Sequence, residues 1–452
     1  MVLPVLRRLL VPLALAVLGA LACAWFVPRE TNAVEIHLVG FPDSDAFAHR
    51  LRPLLLAALC FLPALGALAY SIAGALDRYL VRRFLPVLTI CLASLLLIWL
   101  LVDLADNLPD LRRSPRFVPT LLRFYGLQFA PVFVLVVPYA LLFSLLYTLG
   151  RLSNSREIVA IIQTGRGMIR VVAPLIAIGL FATAACTILN YHWAPWADGY
   201  KEAFLVEARG GHPTQASNVL YFESAARRLW KVGAFPLDLP DKAPLLDVAV
   251  TQLRADGSLR SRLLAPRARW SREHRTWTFE EAWLERFRRD EPPMFEPAPN
   301  PLVKTDWQET PWQLIKPGLP ATDLGIPDLN SWLRANRGID WTDQLPYLTQ
   351  WHQRWAQPFI CLVTTLLAAP LGIVFSRRGA SGGVALAVFL CGGMVFLSTV
   401  SLAFGESGYL PPPAAAWLTN ATFGLVALYL FHRRMSGLPI YQAIRRLLPL
   451  ED

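Results

Sequence analysis

The chain has no Gly-Lys dipeptide, and so no Gly-x-x-x-x-Gly-Lys-[Ser/Thr] phosphate loop. Nucleotide hydrolysis by that route is excluded. It has no His-Glu-x-x-His motif, and its 7 histidines (His37, His49, His192, His212, His274, His352, His432) are scattered, with no pair at ligand spacing. No catalytic residue, metal ligand or cofactor is expected from such a set. The 6 cysteines all fall inside apolar runs and none in the charged middle of the chain, which argues against a disulfide framework or a cysteine zinc site. They read as small buried apolar residues. No carboxylate sits in the middle of an apolar run; Asp103 and Glu406 lie at ends. Ion-coupled transporters keep ionisable groups at mid-membrane, where the coupled charge binds. If this protein moves something, the energy comes from another subunit.

What the chain does have is long hydrophobic runs. Hydrophobic residues make up 54% of it, too many for an ordinary soluble domain. Eight stretches of roughly 17 to 27 residues carry no charge, and such a run is long enough to span a bilayer as a helix. They are Leu9–Pro28, Pro53–Leu76, Pro86–Val102, Phe124–Gly150, Val171–Tyr191, Trp355–Ser376, Gly379–Gly405 and Ser407–Phe431. Five precede and three follow a charged stretch from about Asn190 to Gln353.

The net charge of +10 reads as membrane topology rather than nucleic-acid binding. Short segments rich in arginine stay in the cytoplasm. Arg7 and Arg8, then Arg78, Arg82 and Arg83, then Arg151, Arg156, Arg166 and Arg170, then Arg377 and Arg378, and finally Arg433, Arg434, Arg445 and Arg446 all fall on one side if every run spans. Both termini are then cytoplasmic, and the central domain is extracytoplasmic. The first run, with Arg7-Arg8 before it and the small cluster Ala20 to Ala24 within it, also fits a secretory signal. A retained helix is the expectation.

The middle reads mostly as strands. Ser217–Phe222, Arg228–Val232, Leu245–Arg254, Ser261–Ala268 and Trp277–Phe287 are rich in β-branched and aromatic residues. Turn signals at Pro240-Asp241, Asp256-Gly257 and Arg272-Glu273-His274 separate them, which suggests an antiparallel sandwich or jelly roll. From Pro327 to Gln353 the spacing turns helical, with starts at Pro327-Asp328 and at Asp340 or Thr342. The expected fold is thus an α-helical integral membrane protein with an inserted antiparallel β domain. Residues 1–75 form an extension with two helices, 76–190 a first helical half, 191–353 the β-rich domain, 354–435 a second helical half and 436–452 a cytoplasmic tail.

The loop between runs four and five suits contact with a soluble partner. Asn154 or Ser155 can cap a short helix at about 153–166, with Glu157 in its first turn. Ile158, Ile161 and Ile162 make an apolar face and Gly165 stops the helix. Such a helix can press into a groove on a partner, or lie on lipid with Glu157 merely capping it.

Several segments together resemble one family, the LptF/LptG (YjgP/YjgQ) permeases of lipopolysaccharide export. Thr148-Leu149-Gly150-Arg151-Leu152, Ser155-Arg156-Glu157-Ile158 and Thr164-Gly165 are similar to that family's coupling-helix segment. Leu76 to Pro86 resembles the lead-in to its first helix, and Trp351-His352-Gln353-Arg354-Trp355-Ala356-Gln357-Pro358 the lead-in to its fourth. Ala369-Pro370-Leu371-Gly372 with Ser376-Arg377-Arg378 resembles that helix's exit, and Gly408 to Asn420 the start of the sixth. The Leu149–Glu157 stretch leans to the LptF type and the proline-rich Pro411–Pro413 to the LptG type.

The resemblance implies a non-catalytic permease with a six-helix core. Its partners would be an LptB-like ATPase dimer, a second LptF/LptG-type permease and an LptC/LptA-like periplasmic jelly-roll bridge; its cargo would be lipopolysaccharide taken from membrane lipid. It implies that Glu157 meets the ATPase, with Arg156, Ile158 and Gly165 in the same segment. Two features depart from the family: the first two helices are additional, and Trp99 to Val102 is apolar where members often carry a basic residue. The nearest candidates for substrate contact are Arg112, Arg113 and Arg116, and runs three, four, seven and eight are expected to line a lipid cavity. Rival readings are a permease for another lipid or lipoprotein, and a membrane-anchored periplasmic scaffold.

Overall fold

The computed structural model describes residues 2–38, 43–114, 116–210, 214–223, 226–236, 244–271, 273–288, 292–336, 341–373 and 381–435. The tail 436–452, the turn at Pro240-Asp241, Arg272, Asp340, and Arg377-Arg378 with Gly379-Ala380 lie outside these residues. Seven helices come first: α1 (Val2–Leu38), α2 (Asp43–Ile72), α3 (Ala75–Leu111), α4 (Phe117–Asn154), α5 (Glu157–Gln163), α6 (Met168–Tyr191) and α7 (Trp193–Ala208). Strands β1 (Thr214–Glu223), β2 (Arg228–Pro236), β3 (Leu245–Leu253), β4 (Leu259–Ser271), β5 (Thr276–Glu280), β6 (Trp283–Arg286), β7 (Met294–Pro297) and β8 (Leu302–Lys304) follow. Helices α8 (Pro311–Ile315), α9 (Ile326–Ala335), α10 (Trp341–Ala356), α11 (Ile360–Gly372), α12 (Ser381–Glu406) and α13 (Pro412–Met435) complete the chain.

Among the described residues, 8 helices are long and apolar enough to cross a membrane. They carry the eight apolar runs of the sequence. Only a helix satisfies every peptide group within one such segment, so uncharged runs of this length fold this way in lipid. The chain is a helical membrane protein with an inserted antiparallel β domain, as its sequence leads one to expect.

Helix α4 is the central strut. Its 38 residues rise about 57 Å at ~1.5 Å each, well beyond the hydrocarbon core. It buries Val134, Val137, Leu141, Leu142, Leu145 and Leu149 against α3, α6 and α11. Backbones meet closely there. A β-carbon added at Gly179 would lie 2.5 Å from Thr365 Oγ1, and one at Gly372 would lie 2.8 Å from Leu149 Cβ. Small residues at such seams let membrane helices approach without a hydrophobic driving force. The near end of α4 packs on α7, with Phe124 against Phe204 and Gln128 Nε2 donating to Ala197 O at 3.3 Å.

The stretch after Tyr191 was expected to open the β-rich domain, but it is helix α7. It continues α6 after a break at His192, whose φ of −147° and ψ of −48° leave the helical region.

The sheet is antiparallel, in the order β1-β2-β3-β4-β5-β8, with β6 on β4 and β7 on β6. Alternating residues face inward: Trp230 and Val232 from β2, and Trp277 and Phe279 from β5. Phe235, three residues beyond Val232, is buried out of phase with that alternation. In β4 the alternation shifts phase at Pro266 and Arg267, two exposed residues in succession, where its partner changes from β6 to β5. Strands β7 and β8 are short additions that the sequence pattern did not reveal.

One polar network closes the core. The Arg228 guanidinium donates to Glu309 Oε1 at 2.7 Å and Oε2 at 3.0 Å, Trp230 Nε1 donates to Glu309 Oε1 at 3.3 Å, and Trp277 Nε1 donates to Glu309 O at 2.7 Å. Glu309 is 2% exposed. Removing one partner of a buried pair strands the other charge, so Glu309→Ala is expected to destabilise the β domain by about 3–5 kcal/mol. The double variant Arg228→Met, Glu309→Leu should cost less, because neither charge is left behind. Thermal unfolding of the full chain in detergent, followed by tryptophan fluorescence, measures both. A single variant as stable as the double one contradicts this account.

Candidate functional site

The loop between α4 and α6 is a compact reversal. Ser155 caps the end of α4, its N–H donating to Arg151 O and Ser153 O. Arg156 then takes a left-handed conformation, φ 59° and ψ 13°, which turns the chain into α5. Helix α5 spans only Glu157–Gln163, shorter than expected, because Asn154 prolongs α4 rather than capping α5. Arg156 stands at the N-cap without a side-chain cap bond. Gly165, at φ +81°, ends the turn in a conformation that favours glycine.

Ile158 is fully buried in the cluster formed by Leu149, Leu152, Val171 and Val172, and Ile161 packs against it. Ile162 does not share that face; it is 36% exposed. Ala160, Gln163, Thr164 and Arg166 are exposed as well. Glu157 is held in place. Its Oε2 accepts from the Tyr79 hydroxyl at 2.5 Å and its Oε1 from Ser155 Oγ at 3.1 Å, while Arg83 Nε donates to the Tyr79 oxygen at 3.2 Å. The first turns of α3 and α6 meet beside it, where Arg170 Nη2 donates to Asp77 Oδ2 at 2.7 Å. Glu157, Arg156, Ile158 and Gly165 therefore share one small feature, at the end of α4 away from α7 and the sheet.

Arg112, Arg113 and Arg116 lie at the other end of α4, and all are exposed. Only Arg116 joins a cleft: with Arg123, Thr120, Phe204 and Glu207 it lines a space of about 260 Å³. Close by, Lys201 pairs with Asp103 at 2.7 Å and Arg209 with Asp110 at 2.5 Å, fastening α7 to α3.

A larger cavity of about 1130 Å³ has walls from α1, α2, α3, α4 and α6, including Leu15, Leu62, Leu85, Phe133 and Phe181, with Asp77, Arg82 and Arg170 at one end. None of the described residues of α12 and α13 lines it.

The histidines also differ from expectation. His37 at the end of α1, His49 near the start of α2 and His192 at the break between α6 and α7 gather round Asp328 of α9. Separation along the chain concealed this; only tertiary packing brings them together. Burial would raise the Asp328 carboxyl, but the imidazoles of His192, His37 and His49 facing it overrule this and hold it well below the usual carboxylate range. Burial pushes His192 down, favouring its neutral form. A Gly-x-Ser-x-Gly string does occur, from Gly379 to Gly383, but Ser381 opens α12 and the preceding element is helix α11, not the strand that a nucleophile elbow requires.

No curated protein matches the chain. The family model for the lipopolysaccharide export system permease LptF/LptG matches residues 78–433, more than three quarters of the chain, leaving α1 and α2 outside it. With 8 helices able to cross a membrane and this match over most of its length, the multi-pass membrane protein belongs to the LptF/LptG family of lipopolysaccharide export permeases.

Proposed function

We propose that the chain is a permease subunit of an ABC transporter that lifts lipopolysaccharide out of the inner membrane and passes it to a periplasmic bridge. The energy is supplied by a separate LptB-like ATPase, whose two copies meet α5 of this chain and of a second LptF/LptG-type permease. Family membership supports the cargo. One observation carries the coupling: a short helix anchored by Ile158 in the core, with exposed residues outward, at the opposite end of α4 from the sheet. The arginine bias of the sequence supports a cytoplasmic position for that end.

The work required is large. Exposing the acyl chains of lipid A to water costs about 25 cal/mol per Å² of apolar surface, so unaided extraction is prohibitively slow. Arg116 and Arg123 offer cationic partners for lipid phosphates as the headgroup leaves the membrane. Arg112 and Arg113 stand exposed beside them. Strand β1 is paired on one side by β2, and its other edge suits an LptC/LptA-like domain that extends the sheet.

Glu157→Arg is expected to abolish both copurification of the ATPase and export of lipopolysaccharide. The charge reversal also breaks the Tyr79 bond, so Tyr79→Phe is the control: it removes that bond, worth about 0.5–1.5 kcal/mol, and leaves the carboxylate. Tyr79→Phe should retain the ATPase. A Glu157→Arg protein that still binds the ATPase and supports export refutes the coupling role.

Topology gives an independent check. A cysteine placed at Gln163 should react with a membrane-impermeant thiol reagent only after the inner membrane is opened, and one at Asp256 in the β3–β4 turn should react in intact spheroplasts. The reverse pattern overturns the orientation, and the coupling proposal with it.

A further inference from the structure

We propose that His37, His49 and Asp328 form a binding site for a divalent cation of the zinc class, and that the bound ion fastens the α1–α2 extension to the permease. One donor atom from each residue lies within 4.8 Å of the other two. Two imidazoles and a carboxylate are ligands that zinc and its late first-row neighbours take. At the usual ~2.0–2.1 Å metal–ligand bonds, neighbouring ligand atoms of a tetrahedral site stand about 3.3–3.4 Å apart. His37 Nε2 lies 3.4 Å from Asp328 Oδ1, matching that separation and exceeding the ordinary N–H···O range. Ligation draws the His49 donor in from a separation of at most 4.8 Å.

The surroundings are those of a built site. Ligating imidazoles and carboxylates are oriented by bonds from their outer atoms. Here His49 Nε2 lies 3.3 Å from Ser331 Oγ, and His192 Nδ1 lies 3.5 Å from Asp328 Oδ2, the oxygen turned away from His37. His49 and Ser331 are buried, and the Trp312 ring stands edge-on to His37 with centroids 4.5 Å apart. The nearby Arg52 cation is neutralised by Glu30 at 2.6 Å, which leaves the Asp328 charge for the ion. An ion held here joins the end of α1, the start of α2 and α9, with the α6–α7 break behind it.

The test uses the full-length, tag-free chain in detergent. It is stripped with a chelator, incubated with Zn²⁺, desalted and assayed for metal by mass spectrometry; Co²⁺ serves as a spectroscopic probe. One Zn²⁺ per chain is expected, with intense visible Co²⁺ bands of a low-coordinate nitrogen and oxygen site. His37→Gln and Asp328→Asn should abolish both signals, and His192→Gln should weaken zinc by about 10- to 100-fold as an outer-partner change does. His274→Gln, on the exposed β4–β5 turn, should leave them unchanged. A wild-type chain that retains no zinc and gives only the pale spectrum of hydrated Co²⁺ overturns the proposal, whatever the variants do. So does undiminished zinc in His37→Gln, whose half-buried side chain leaves folding least affected.

Discussion

A peptide group left unpaired in hydrocarbon costs several kcal/mol, and this constraint shapes the chain from end to end. It makes each uncharged run a helix and keeps irregular backbone at the two ends of the bundle. The left-handed turn at Arg156 and the break at His192 both lie at such ends. Helix α4 joins those two regions as a single element, packed on α3, α6, α7 and α11. Where Gly179 meets Thr365 and Gly372 meets Leu149 there is no slack for one helix to slide on another. Helix α4 therefore joins the α5 end of the bundle to α7 as one packed unit.

Ion pairs fix how α3 follows. Asp77–Arg170 ties its first turn to α6, while Asp103–Lys201 and Asp110–Arg209 tie its far end to α7. Each joins a largely buried carboxylate to a partly exposed cation, and partly solvated pairs of this kind contribute about 0–1 kcal/mol, too little to hold the bundle together. Their contribution is register: among the described residues each of these carboxylates pairs with one cation, which favours one axial position of α3 against its neighbours. Of the two pairs at the α7 end, Asp103–Lys201 is the more buried.

Legibility in the sequence varied with the range of the interaction. The apolar runs and the five longer strand segments are read from local pattern. The runs, where described, fold as helices, and four of the five segments each form one strand; Trp277–Phe287 is instead divided at Glu281-Ala282 into β5 and β6, which pair with different parts of β4. Helix α7 escaped because Trp193, Pro195 and Gly199 disguise a helix that is stabilised by packing on α4 and α3 rather than by propensity. Strands β7 and β8, of 4 and 3 residues, are too short to show a period of two and exist through pairing with β6 and β5. At the coupling loop, Glu157, Ile158 and Gly165 were readable as a first-turn acid, a core anchor and a stop. The cap was not, since Asn154 does better continuing α4 than starting a new helix. Nothing local marks Tyr79 as the partner of Glu157, because the contact spans α3 and α5.

The extension shows why polar contacts decide position in a membrane. Gly19 lets α1 approach the backbone of α2 at Cys60, so the two helices form a tight pair. Lipid tails are as apolar as leucine, however, and give that pair no hydrophobic reason to settle on the permease. At one end it meets the core through polar groups: the Tyr191 hydroxyl donates to Ala48 O at 2.9 Å, and His49 approaches Ser331 in the cluster round Asp328. Further along, Leu62 to Ala73 stand off from α3, α4 and α6 across the 1130 Å³ cavity. Docking specificity is thus concentrated at the histidine end, where a desolvated carboxylate tolerates few alternative arrangements. The cavity end rests on dispersion contacts that lipid supplies equally well, so polar groups fix the pair at one end and apolar packing alone borders it at the other.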